Sequence, residues 1–267
     1  MRTDPGGRAR PGENARERDV PPVNRMYNAG WDDRPAEYAA LRDCWLTRRR
    51  LLRIERFLSA AKPGDRVLDV GCGVGEVLID LAAARPDLRF VGVEPQESYT
   101  AFASRAAAER GLANVSFRVG PAEGLAGALA DEPPFEWFFS NDVLHHVVDE
   151  RLVARSVAEV AATEAVWLAI EPNWLNPYIF LECALKKGER NFRPDRFLLQ
   201  ARDSGWILDD RSYIFLIPSS IKRPAPVLIR LESRWEENRL LAGGVTLTLV
   251  RRKGALAAGS HLSRRDP

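Results

Sequence analysis

Cysteine is scarce: Cys44, Cys72 and Cys183 are the three in 267 residues, with no C-x-x-C spacing. That argues against a disulfide framework and against a cysteine-based zinc site, and no metal is expected. No apolar run reaches the ~18 to 20 residues that cross a bilayer. The nearest, residues 153–170, is interrupted by Arg155, Glu159 and Glu164, so no membrane span is expected. Charge of one sign is also lacking. The 39 basic and 37 acidic side chains leave +2, which gives no global field for nucleic acid or an anionic membrane, and no nucleic-acid partner is expected. Lysine supplies 5 of the basic residues and arginine 34, read as the codon bias of a GC-rich genome. No secretory h-region and no internal repeat is found. The expectation is a cytoplasmic protein of a reducing compartment.

What is present is ordinary globular composition, 45% apolar and 28% charged, between two biased ends. Residues 1–25 carry ten charged side chains, four prolines and three glycines, with no aromatic, Leu or Ile. Such a stretch buries too little to offset its ordering entropy, so 1–25 and 255–267 are expected as disordered tails around one domain, 26–254. Asp32 or Asp33 before Arg34-Pro35 predicts a helix start. Tyr38, Leu41, Trp45, Leu52 and Phe57 then continue one helical stripe to about Ala60. From Arg66 onward, short apolar runs alternate with helices. Strands are predicted at 66–70, 89–94, 115–119, 137–140 and 165–171, with helices at 76–84, 98–110 and 150–162. The runs 206–217 and 245–251 read as a terminal β pair. This alternation predicts an α/β fold, doubly wound, with a mainly parallel sheet.

The most informative segment is Val67-Leu68-Asp69-Val70-Gly71-Cys72-Gly73-Val74-Gly75-Glu76. A buried strand enters three alternating glycines and then a helix, so the backbone can turn tightly and approach a ligand that a Cβ would block. The dinucleotide fingerprint needs a third glycine where Glu76 stands. Asp69 suits a ligand carrying positive charge and repels a pyrophosphate, which disfavours a nicotinamide oxidoreductase. Glu94 ends the second strand 19 residues after Gly75. A carboxylate at that place accepts from both hydroxyls of a ribose. A ligand with a ribose, an ammonium and a carboxylate but no phosphate fits the set, and S-adenosylmethionine has those groups.

The runs VLDVGCGVGEVLIDLA, VGVEP and SNDVLHHV resemble the class I S-adenosylmethionine-dependent methyltransferases, in their small-molecule branch. The resemblance spans about residues 35–253 and implies a Rossmann-like seven-stranded sheet with helices on both faces. It implies that Asp69 and the backbone of Gly71, Gly73 and Gly75 hold the methionine part of the cofactor. Glu94 would hold the ribose, Pro95 would pack on the adenosine, and Asn141 would join them from the end of the fourth strand. The loop after the third strand departs from the family in having Pro121 where an Asp is usual. Ala122 through its backbone, together with Glu123, would then reach the adenine. The family's Leu-Lys-Pro-Gly-Gly turn before the fifth strand is replaced by Ala162-Thr163-Glu164.

His145 and His146 stand out because His261 is the only other histidine. An imidazole can take the proton of a hydroxyl acceptor, and either residue is a candidate base, with His146 favoured for its offset of five from Asn141. The alternative is that the pair packs beside the cofactor. Glu171, ending the fifth strand, is a further catalytic candidate, or else it bonds nearby backbone. The expected activity is direct methyl transfer to a small molecule, of natural-product or lipid type. The alternatives are a methylase of RNA or protein and a non-catalytic binding scaffold.

Overall fold

The computed structural model describes residues 34–185, 190–218 and 220–251. The expected tails, Asp32, Asp33 and His261 lie outside these. Seven strands form one sheet: β1 (Arg66–Val70), β2 (Arg89–Glu94), β3 (Val115–Val119), β4 (Phe135–Asn141), β5 (Ala161–Pro172), β6 (Trp206–Ile214) and β7 (Gly244–Arg251). Their order is β3-β2-β1-β4-β5-β7-β6. The first five pair in parallel, and β7 runs antiparallel between β5 and β6. The expected Rossmann-like α/β architecture is therefore present, as a mixed sheet that is mostly parallel.

Side chains along each strand alternate between two cores, as a period of two requires. Leu68, Val70, Phe138 and Trp167 join one core with Val153 and Val157 of α6 (Glu150–Glu159) and with Phe197 of α8 (Pro194–Arg202). Val67, Phe139 and Leu168 face the other, against Ile54 of α2 (Trp45–Phe57) and Leu78 of α3 (Glu76–Ala84). The helices α1 (Pro35–Arg42), α4 (Glu97–Glu109), α5 (Leu125–Ala128), α7 (Pro177–Leu185) and α9 (Pro226–Trp235) complete the set among the described residues. The buried indoles keep their donors satisfied: Trp167 Nε1 donates to Ser140 Oγ at 3.1 Å and Trp206 Nε1 to the Ala154 carbonyl at 3.0 Å.

Four sequence expectations need correction. The stripe from Tyr38 to Phe57 is not one helix. It breaks at Cys44, which is extended (φ −146°, ψ 165°), because Trp45 N–H turns to the Lys222 carbonyl (3.0 Å). Leu41 and Leu52 are consequently exposed, and Arg50 and Ile54 are the buried members of α2. The helix expected to reach residue 162 ends at Glu159: β5 begins at Ala161, four residues earlier than expected, where Ala161 pairs with Phe135 of β4. Strand β6 stops at Ile214 rather than 217, since Phe215 takes φ +48°. The segment between β5 and β6 also carries α7 and α8, which the turn-rich sequence there left unread.

From β1 the chain winds outward to β2 and β3, then returns to the other side through β4 and β5. The crevice above the carboxyl ends of β1 and β4 is thus the topological switch point, where ligands bind in open α/β sheets.

Candidate active site

Each turn at that edge is shaped by a local demand. Gly71, Gly73 and Gly75 have φ of +77°, +55° and +77°, values an L side chain resists. Their surroundings differ, however. A Cβ on Gly71 would sit 2.6 Å from Val143 Cγ2, and one on Gly75 would sit 2.8 Å from Ala103 Cβ and from the Phe117 ring. A Cβ on Gly73 would meet nothing nearer than the Tyr38 ring at 3.8 Å. Gly71 and Gly75 therefore let loop and helix close on each other, whereas Gly73 borders open space. Gly75→Ala should destabilise the fold by about 1–3 kcal/mol through overpacking, and Gly73→Ala by less, with cofactor affinity reduced. Thermal unfolding and calorimetry on the pair check this separation.

The glycine N–H groups are largely used inside the protein. Gly71 and Cys72 donate to the Val93 carbonyl (2.8 and 3.0 Å), Gly75 donates to the Cys72 carbonyl (3.0 Å), and Gly73 donates to Glu94 Oε2 (3.1 Å). What this turn offers a ligand is carbonyl oxygen and bare Cα rather than a nest of donors. That favours an ammonium over a phosphate.

One cavity at this edge gathers Asp69, Gly71, Gly73, Glu94, Pro95, Ala122, Asn141 and His146 from the expected set. Gly75 and Glu123 do not line it; Glu123 sits in the short 3-10 turn Ala122–Gly124. Asp69 is 3% exposed, and its carboxylate makes no hydrogen bond or ion pair with the described residues. Burial first, then repulsion from Glu76 and Glu94, raises its pKa well above the usual carboxylate range, against a smaller opposing pull from Arg42. Glu94 is raised to about 7 by burial, although the Gln96 and Gly73 N–H groups act to lower it. Asn141 Oδ1 is buried without a hydrogen-bond partner. Two buried carboxylates, an orphaned carbonyl oxygen and a glycine beside open space match a cationic amino-acid group joined to a ribose.

Sequence reasoning put Tyr38 on an apolar stripe but did not single out Arg42 or Tyr99 for this cavity. Tyr38 and Arg42 of α1 line it together with Tyr99 of α4, and the two tyrosine rings lie 5.3 Å apart. Arg42 Nε donates to Glu76 Oε1 at 2.7 Å, and its Nη1 lies 3.8 Å from Asp142 Oδ2. Burial works to lower the Arg42 pKa, but Glu76, Tyr38 and Asp142 outweigh it and keep the guanidinium charged. Arg50 also pairs with Asp142. Asp142 itself takes φ +59°, a left-handed turn that aims its carboxylate back at the two arginines. An Arg-Arg spacing of eight on the sequence gave no sign of a shared partner 92 residues away.

A second cavity adjoins the first. Tyr38, Arg42, Asp142 and His146 line both. Its remaining wall includes His145, Tyr178 and Cys183, and the strap 215–218. Glu171 lines neither cavity. It is 1% exposed, and its carboxylate accepts the N–H groups of Val143 (3.0 Å), Leu144 (2.8 Å) and His145 (3.3 Å). His145 Nδ1 lies 2.7 Å from its Oε2. The carboxyl group of β5 thus holds the loop after β4 and orients the His145 ring, which lies against the His146 ring at a tilt of 46° with centroids 3.8 Å apart.

A sheet of this order, with a glycine-rich turn and two buried carboxylates at its switch point, is the arrangement of the methyltransferase class of α/β folds. A family model described as "Methyltransferase domain" matches residues 61–201, about half of the chain. The chain belongs to this family and is a class I S-adenosylmethionine-dependent methyltransferase. A ubiquinone biosynthesis O-methyltransferase of Hahella chejuensis is 36% identical over 102 residues, 38% of this chain and 41% of that protein. A ribosomal RNA small subunit methyltransferase G of Mycobacterium leprae is 42% identical over 64 residues, 24% and 26% of the respective lengths. The chain thus spans less than half the length of either relative. Among solved structures, phosphoethanolamine N-methyltransferase 2 of Haemonchus contortus, in complex with S-adenosyl-L-methionine, superposes with a TM-score of 0.63 at 15% identity. That match covers 88% of this chain and 61% of the other.

Proposed function

We propose that residues 26–254 form one domain that methylates a hydroxyl group of a small-molecule acceptor, with the acceptor in the second cavity and His146 as its general base. One observation carries this reading: His146 borders both cavities, so it stands where donor and acceptor groups would meet. S-adenosylmethionine, when bound, supplies an electrophilic methyl group on a sulfonium. Asp69 and Asn141 Oδ1 are set to accept from its ammonium and Glu94 from its ribose, with Pro95 and Ala122 beside the nucleoside. His146 takes the acceptor's proton as the new oxygen–carbon bond forms, and Glu171 with His145 keeps the loop in place. Arg42, paired with Glu76 and Asp142, holds α1 across the opening and excludes water.

A labelled-methyl assay tests the reading. The purified protein should transfer label to members of a panel of small hydroxyl compounds, and to neither ribosomal RNA nor extract protein. Label in RNA or protein alone would overturn it.

A further inference from the structure

We infer that the acceptor carries a hydrocarbon chain and that this chain lies in an apolar groove on α9, outside the second cavity. The inference rests on the assignment of that cavity to the acceptor. The strap 215–218 is the feature that joins the two spaces: Leu216, Ile217 and Pro218 line both the cavity and the groove. The groove continues along Leu228, Leu231 and Trp235 to Leu241. Leu231, Trp235 and Leu241 are 50%, 49% and 51% exposed. Large apolar side chains contiguous at a surface mark a place where something apolar binds.

The chemistry of the groove is that of a hydrocarbon site. Its one acidic member, Glu232, is 1% exposed and already satisfied. Oε1 accepts the Leu216 and Ile217 N–H groups (3.0 and 3.2 Å), and Oε2 accepts Trp45 Nε1 (2.8 Å). Glu232 therefore fastens the strap to α9 and α2 and leaves no free oxygen for a ligand. The strap is fixed at its other end too. The Phe215 ring lies so close to Gly244 that a Cβ there would stand 2.5 Å from it, and the Arg50 guanidinium lies over the same ring at 5.3 Å. A chain crossing this strap from the cavity would lie in the groove, two helical turns long from Leu228 to Trp235, about 10 Å at 1.5 Å per residue. Continuity with the acceptor cavity selects the acceptor's own chain over a bilayer or a second copy of the protein.

The probe is a series of single-chain lysophosphatidylcholines with 8 to 12 acyl carbons, kept below micelle formation and titrated by calorimetry onto the full chain. Affinity should rise by up to about fourfold per added methylene, the worth of burying one such group. Leu231→Glu and Leu228→Glu, both at exposed positions, should each weaken binding of the longest chain by about tenfold or more. S-adenosylmethionine affinity, measured on the same samples, should stay unchanged and reports that the variants are folded. Chain-length-independent binding, or Leu231→Glu binding like the wild type, would overturn the inference. So would protein that floats with phosphatidylcholine vesicles yet ignores the monomers, or a dimer that Leu231→Glu dissociates. Failure to bind S-adenosylmethionine would instead strike the assignment of the first cavity, and is read separately.

Discussion

Replacing His146 by alanine should slow turnover on a hydroxyl acceptor by about 10²- to 10⁴-fold, the usual worth of a positioned acid–base group. The ring stands at the junction of the two cavities, so its loss removes the proton acceptor without touching Asp69 or Glu94. Cofactor affinity should remain within about twofold by calorimetry, a difference of under ~0.5 kcal/mol. With S-adenosylmethionine kept saturating at every pH, the wild-type rate should fall as the medium is acidified, because a protonated imidazole accepts nothing, while the residual rate of the variant should lose that part of the dependence. His145→Ala is expected to behave differently. It strips a partner from the buried Glu171 carboxylate, which still holds three loop N–H groups, so it should lower thermal stability together with the rate. A His146→Ala enzyme with undiminished turnover on the true acceptor would leave proximity alone as the source of rate.

The sheet's first half is legible because parallel, doubly covered strands are continuous apolar runs ended by turn residues. Strands β1, β2 and β3 and helix α3 fall on the expected residues. The gathering of Asp69, Gly71, Gly73 and Glu94 at one cavity is legible for the same reason: they sit at fixed offsets from strand ends, and the strand ends converge at one edge. The cover over the cradle follows no local rule. Arg42 finds Glu76 34 residues on, and Trp45 finds Glu232 187 residues on. These pairings join elements far apart in the sequence, so the sequence shows an amphipathic stripe but not the break at Cys44 that separates α1 from α2. The sequence offered Glu171 as a further catalytic candidate or as a group that bonds nearby backbone. The structure shows its carboxylate accepting three backbone N–H groups beside the His145 ring, away from both cavities. The groove on α9 follows no local rule either, since what makes it a groove is the strap folded against it from 10 residues earlier.

Asp69→Ala should weaken S-adenosylmethionine binding by about 10- to 150-fold, the equivalent of a charge-assisted hydrogen bond worth roughly 1.5–3 kcal/mol. The same substitution should stabilise the ligand-free fold, because a buried carboxylate without a partner is a cost until a cation arrives. Glu94 adds a pH signature with an unusual sign. Its folded-state pKa is raised to about 7, from an ordinary value of 4.5, so between those values the folded chain holds a proton that the unfolded chain has released. Stability is therefore greatest below the ordinary carboxylate range and declines as pH rises toward 7, by up to about 3 kcal/mol for this group. Asp69 is shifted in the same direction and adds to the decline. The melting temperature of the free protein should fall from pH 5 to pH 8, where many proteins are near their optimum. On the proposed site, bound S-adenosylmethionine should reverse the trend, since its ribose hydroxyls would donate to the ionised Glu94 and its ammonium to the ionised Asp69. Affinity should accordingly rise with pH through about 7, with proton release on binding seen as a buffer-dependent heat. Glu94→Gln should flatten the melting profile and lower affinity together. A free protein whose melting temperature rises over that pH range, with the Glu94→Gln profile unchanged, would show that neither carboxyl group is held protonated.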